Sequence, residues 1–200
     1  MLTMKRLVAS PAAQRGTSLI EVLVTVVILS FGLLGIAVFQ AKANLGSIES
    51  YQRAQAVILL EDMQARMRAN PTKSTEYVTA GTTTLGTGDA DTDCDGEAAG
   101  SARDRCEWSR ALRGTSETTK DSKNAGAMEG ALGCIEELEK TDPTDKICDT
   151  GMYRVTVAWQ GLHETKEPLV TCGATKYGKS TLRRAISITV AIGVPACALT

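Results

Sequence analysis

The sequence predicts an α+β protein in which one long N-terminal helix packs on a small antiparallel sheet. Three observations predict it. An uncharged run passes without a break into an amphipathic period, two segments near the C-terminus alternate strictly, and six cysteines all lie beyond the helical part.

The helix comes first. From Val22 to Phe39 eighteen residues carry no charge, enough to cross a bilayer core of roughly 30 Å. Lys5, Arg6 and Arg15 are the only charges in the first sixteen residues, so positive-inside logic keeps that end in the cytoplasm and sends the rest across. Beyond Phe39, Leu45, Ile48, Tyr51, Ile58, Leu59, Met63 and Met67 recur at three- and four-residue intervals among polar residues, which predicts an amphipathic continuation with that stripe buried. Asn70-Pro71 ends it, because the residue before proline is pushed out of the α region. A helix from Thr17 to Ala69 would be on the order of 80 Å long.

The remainder reads as a separate, exported part. Thr79 to Gly100 is rich in Gly, Thr and Asp and reads as a long surface loop. "CEWSRALR" from Cys106 and "GALGCIEELEK" from Gly130 are read as helical. Met152 to Gln160 puts Tyr153, Val155, Val157 and Trp159 on one face of a strand, and Arg184 to Ile192 does the same with Ile186, Ile188, Val190 and Ile192. "EPLVTC", Glu167 to Cys172, is a shorter strand candidate. Cys94, Cys106, Cys134, Cys148, Cys172 and Cys197 suit disulfides in an oxidising compartment. Six cysteines allow many pairings, and proximity favours Cys94–Cys106, Cys134–Cys148 and Cys172–Cys197. Each would add roughly 3 kcal/mol in the chain-entropy model.

Catalytic and metal motifs do not hold up. "GATKYGKS", Gly173 to Ser180, fits the P-loop expression, but "TLRRAISITVAI" after it reads as a strand where a P-loop needs a helix. Asp91, Asp93 and Asp95 precede Gly96 as in an EF-hand, yet the twelfth position holds Ala102 instead of a bidentate acid. His163 is the only histidine, which excludes a His-based zinc cluster and leaves a Ser/His/Asp hydrolase without a supporting motif. No metal, cofactor or nucleic-acid partner is expected, and no enzymatic activity. Removing the first sixteen residues leaves 19 basic against 23 acidic side chains.

Glu21, just inside the apolar run, is the residue that needs a reason. A carboxylate in hydrocarbon costs roughly 2.5 to 3.5 kcal/mol or more unless it has a partner. A secretory signal would put its small-x-small site after the run, as at Ala41-Lys42-Ala43, and an ordinary anchor would need neither Glu21 nor Gly16. The basic leader ending in Gly16, then "TSLIE" and the apolar run, resembles the prepilin signature of type IV pilins and type II secretion pseudopilins, with Thr17 standing where the family most often has Phe.

The resemblance implies that prepilin peptidase cuts between Gly16 and Thr17 and methylates the new amine of Thr17. It also implies that Glu21 of one subunit receives the amine of another during assembly. Gly32 and Gly35 weaken the middle of the helix by about 1 kcal/mol each relative to Ala, so local melting there is one expectation and a close helix contact the other. Further along, Cys106-Glu107-Trp108, "GALGCI", Trp159-Gln160-Gly161 and the Arg183-Arg184 strand resemble PilV-type minor pilins, also called type IV pilus modification proteins.

The expected organisation is therefore a leader over 1–16, a transmembrane and assembly helix over 17–40, an amphipathic helix over 41–70 and a disulfide-stabilised periplasmic head over 71–200. The implied partners are prepilin peptidase, other minor pilins, the major pilin and the inner-membrane assembly platform. The implied location is the inner membrane, with a cytoplasmic N-terminus, and then the pilus at the cell surface. The implied function is to start pilus assembly or sit at the tip, supporting extension, twitching motility and adhesion. Two alternatives are a type II secretion pseudopilin and a periplasmic enzyme whose mature form begins at Asn44.

Overall fold

The computed structural model describes residues 16, 18–79, 83–89, 93–115, 120–121, 128, 130–140 and 149–193. Two compact units divide the chain, Met1–Asn44 and Leu45–Thr200. One helix, α1, runs over Leu19–Ala69. It opens with the amides of Glu21 and Val22 bonded to the carbonyl of Ser18 at 3.0 and 3.2 Å. It stops before Pro71, where the chain enters a 3₁₀ segment, Pro71–Tyr77.

In the second unit a four-stranded antiparallel sheet has the order β1-β2-β3-β4, with β1 Leu85–Gly86, β2 Leu132–Glu139, β3 Gly151–Gln160 and β4 Arg183–Ile192. Helix α2 spans Ser101–Leu112. The register places Ile135, Val155 and Ile188 in one row across three strands, facing the helical side. The neighbouring row, Cys134, Thr156 and Ser187, faces the other way. On the first face Ala56, Leu60, Met63 and Met67 of α1 and Trp108 and Leu112 of α2 form the core with Tyr153, Val155, Val157 and Trp159. Burial of this size, at roughly 25 cal/mol per Å² of apolar area, is what fixes this half of the helix on the sheet.

Directional bonds set the alignment. The indole of Trp108 donates to the carbonyl of Leu59 at 2.8 Å, and Ser74 shares a hydrogen bond of 2.9 Å with the Tyr153 hydroxyl. At the end of α1, Arg66 bridges Asp62, Asp104 and Glu107, while Asn70 and the Tyr77 hydroxyl both bond Asp104. Burial lowers the Arg66 pKa, but hydrogen bonds to Glu107 and Asp62 outweigh it and leave it raised. Burial and then the Asp104 hydrogen bond hold the Tyr77 hydroxyl well above the usual tyrosine range.

The opposite face of the sheet is covered by the long connection between β3 and β4. Leu132, Cys134, Ala158, Cys172 and Tyr177 form a second small core there. Arg183, with only 2% of its side chain exposed, donates to the carbonyls of Val170 at 2.5 Å, Cys172 at 3.0 Å and Pro168 at 3.1 Å. With those alternate carbonyls turned inward, Leu169 between them is turned out and lies 97% exposed.

Five expectations are corrected here. "GALGCIEELEK" is not helical; from Leu132 it is β2, because pairing with β3 outweighs the helix preference of its Glu and Leu residues. Gly133 suits a strand and nothing larger, since a Cβ there would run into the Trp108 ring. "EPLVTC" is a loop pinned by Arg183 and lies in no strand. The Thr79 to Gly100 stretch contains β1, whose Gly86 has φ 108° and passes so close to Ala131 that a Cβ would sit 2.5 Å from its carbonyl oxygen.

The buried stripe of α1 is also rotated from the expected one. It is Gln52, Ala56, Leu60, Met63 and Met67, while Leu45, Ile48, Tyr51 and Ile58 are exposed. Finally, Cys94 bonds Cys106, but Cys134 bonds Cys172, which removes the expected Cys134–Cys148 and Cys172–Cys197 pairs. The loop held by Arg183 brings Cys172 back over β2, so its Cα lies 5.8 Å from that of Cys134 despite a separation of 38 residues. Cys148 and Cys197 lie outside the described residues.

Candidate processing and assembly site

The site is the start of α1. Gly16 is exposed, and a Cβ added to it would meet nothing within 4 Å. No packing among the described residues therefore requires glycine at that position. Thr17, the expected new N-terminus, lies outside the described residues. Ser18 and Glu21 stand in the Ser-x-x-Glu spacing of a helix start, and Glu21 occupies the first turn of α1, where a negative charge favours the exposed amides. That signal was present in the sequence and gives Glu21 a local role beside any contact with another subunit.

Glu21 is exposed and no ion pair within the described residues engages it. Every large apolar side chain from Leu19 to Phe39 is exposed as well, from 44% at Val27 to 89% at Leu19. The helix is long and apolar enough to cross a membrane, with none of its most apolar window buried. A Cβ added at Gly32 or Gly35 would meet nothing within 4 Å among the described residues. Small residues so placed leave room for a close approach by another helix.

The other sequence motifs take structural places. Residues 173–179 form turns and bends, and a short 3₁₀ segment, Ser180–Leu182, leads into β4 in place of a phosphate-binding helix. Asp93 accepts from the amide of Asp95 at 3.2 Å, while Asp91 is outside the described residues. His163 Nδ1 lies 3.0 Å from Glu49 of α1, and Arg184 reaches the same carboxylate at 3.1 Å. These three residues tie the loop after β3 to the helix.

Residues 11–37 match the family model of the prokaryotic N-terminal methylation motif, and residues 38–109 match the model of Tt1218-like proteins, described as type IV pilin Tt1218. The likeness to type IV pilins thus covers residues 38–109, and the methylation motif the stretch that contains Gly16 and Glu21. No curated protein and no solved structure matches the chain.

Proposed function

We propose that the chain is a PilV-type minor pilin that helps start type IV pilus assembly or sits at the pilus tip, supporting extension, twitching and adhesion. Residues 1–16 are its leader, 17–40 the transmembrane and assembly helix, 41–70 the amphipathic helix and 71–200 the head. One observation carries the reading: the apolar run from Leu19 to Phe39 is exposed throughout, and its only charged residue is Glu21 near its start. Such a surface needs lipid first and neighbouring helices afterwards. The cut between Gly16 and Thr17 supplies the amine that Glu21 of an adjacent subunit receives.

In this reading the head is exported and disulfide-bonded, and the partners are other minor pilins, the major pilin and the inner-membrane assembly platform. A type II secretion pseudopilin shares the leader and helix, and its companions distinguish it. The test is co-purification of the tagged full-length protein from membranes and sheared surface fibres. Recovery with minor pilins and in the fibres supports the proposal; recovery with secretion pseudopilins, and absence from fibres, transfers the chain to that system.

A further inference from the structure

We propose that the outer edge of β4 is a docking edge for an extended segment of another polypeptide chain, uncharged and alternating apolar with small residues. β4 is the last strand of the sheet, and among the described residues nothing pairs with its outer side. It pairs with β3 at ten consecutive positions, Gly151 with Ile192 through Gln160 with Arg183, with no register shift. From Ala185 to Ile192 it contains no charge and no proline. Edges of this kind are templates for strand addition, and proteins ordinarily blunt them with charge, proline, a bulge or a cover.

The opposite edge of the same sheet shows those devices in use. β1 pairs with Leu132 and Gly133. Beyond it Thr79 serves Ile135, donating its amide to the Ile135 carbonyl at 2.9 Å and accepting the Ile135 amide on its hydroxyl at 3.0 Å. Further on come Glu136, Glu137 and Glu139, with a register shift between the last two. Along β4 from Ala185 to Ile192, cover, charge and bulge are all missing among the described residues.

The side chains define what fits. Ile186 and Ile188 are half-buried, packed on the core from one side and open on the other. Ser187, Thr189 and Ala191 are small and exposed on the opposite face. An added strand therefore gains by placing apolar residues beside Ile186 and Ile188, and loses by placing a charge there, which would be desolvated. A row of alternating amides and carbonyls is matched by another backbone and not by lipid or nucleic acid. The inference does not depend on which assembly the chain serves.

Amide hydrogen exchange on the full-length chain in detergent tests it, with a synthetic peptide of the sequence of residues 185–192 as the uncharged strand probe. In the chain alone, every second amide from Ala185 to Ala191 should exchange at rates near those of open loops while β3 stays protected. The peptide should slow those amides by about tenfold or more. Alternate N-methylation of the peptide should abolish this in one frame and spare it in the other. Protection already present in the chain alone, no slowing by the peptide, or slowing indifferent to N-methylation in both frames would each overturn the proposal.

Discussion

Two stretches of α1 have the same backbone and opposite surroundings. From Leu19 to Phe39 the helix leaves every large apolar side chain exposed, whereas from Gln52 to Met67 it buries one residue per turn against the sheet. The second stretch finds its apolar partner within its own chain, in Tyr153, Val155, Val157 and Trp159. Among the described residues the first has none, and on the proposed function it takes it from lipid and then from other subunits. Helix propensity does not separate the two; the place where each buries its apolar surface does.

The largest expected effect falls on the first stretch. Glu21→Ala should leave membrane insertion intact, since removing a charge from hydrocarbon only eases insertion. The protein should still be cut at Gly16, yet be lost from sheared fibres. Gel mobility and fibre content scored in one strain check this; an uncut precursor would give Glu21 a role in cleavage, and full entry into fibres would remove its role in assembly.

A matched pair of truncations sharpens the comparison. Leu60→Ala, at a fully buried position, should destabilise the head by about 2–5 kcal/mol in denaturant unfolding followed by Trp fluorescence. Leu33→Ala, in the exposed stretch, should leave the same transition within about 0.5 kcal/mol of the parent. Equal effects would mean that the two stretches do not differ as described.

Disulfide mapping without reduction comes next. Peptides joined as Cys94–Cys106 and Cys134–Cys172 are expected, and the two remaining cysteines, Cys148 and Cys197, are expected to join each other. Cys148 precedes Gly151 and Cys197 follows Ile192, and those two residues are opposite one another in the β3–β4 register. Free thiols at both positions would count against the third bond.

The smallest effect is at the surface. A hydrogen bond from Lys179 to Glu164, 2.6 Å long, holds the Glu164 carboxyl below its ordinary range, aided by Thr181. A depressed folded-state pKa contributes stability above the usual carboxylate range and loses it as pH falls through the lowered value. Lys179→Met should therefore raise the Glu164 pKa in an NMR titration, with little change in the thermal midpoint at neutral pH. An unmoved titration would show that the bond is not formed in solution.

Much of this was legible in the sequence because the signals were local. The apolar run, the Asn70-Pro71 stop and the alternation of β3 and β4 each depend on neighbours a few residues away, and the structure follows them. What was not legible depended on distant residues. β2 contains "EELE", with strong helix formers, and becomes a strand only because β3 lies beside it. Cys172 meets Cys134 because Arg183, eleven residues further on, folds the loop between them. The buried stripe of α1 was misplaced because two apolar ridges run along it, and periodicity alone does not say which one meets the sheet. At the candidate site the methylation-motif pattern around Gly16 and Glu21 was readable in the sequence; the place of Glu21 in the first turn of α1 was present in the same letters and is evident once the helix start is seen.

On the proposed function the first sixteen residues are removed and the exposed stretch then begins at a new amine. Intact-mass measurement of the chain purified from membranes tests this most directly. The expected mass is that of residues 17–200 with one added methyl group and the disulfides formed. A mass retaining residues 1–16, or a chain beginning at Asn44, would contradict it.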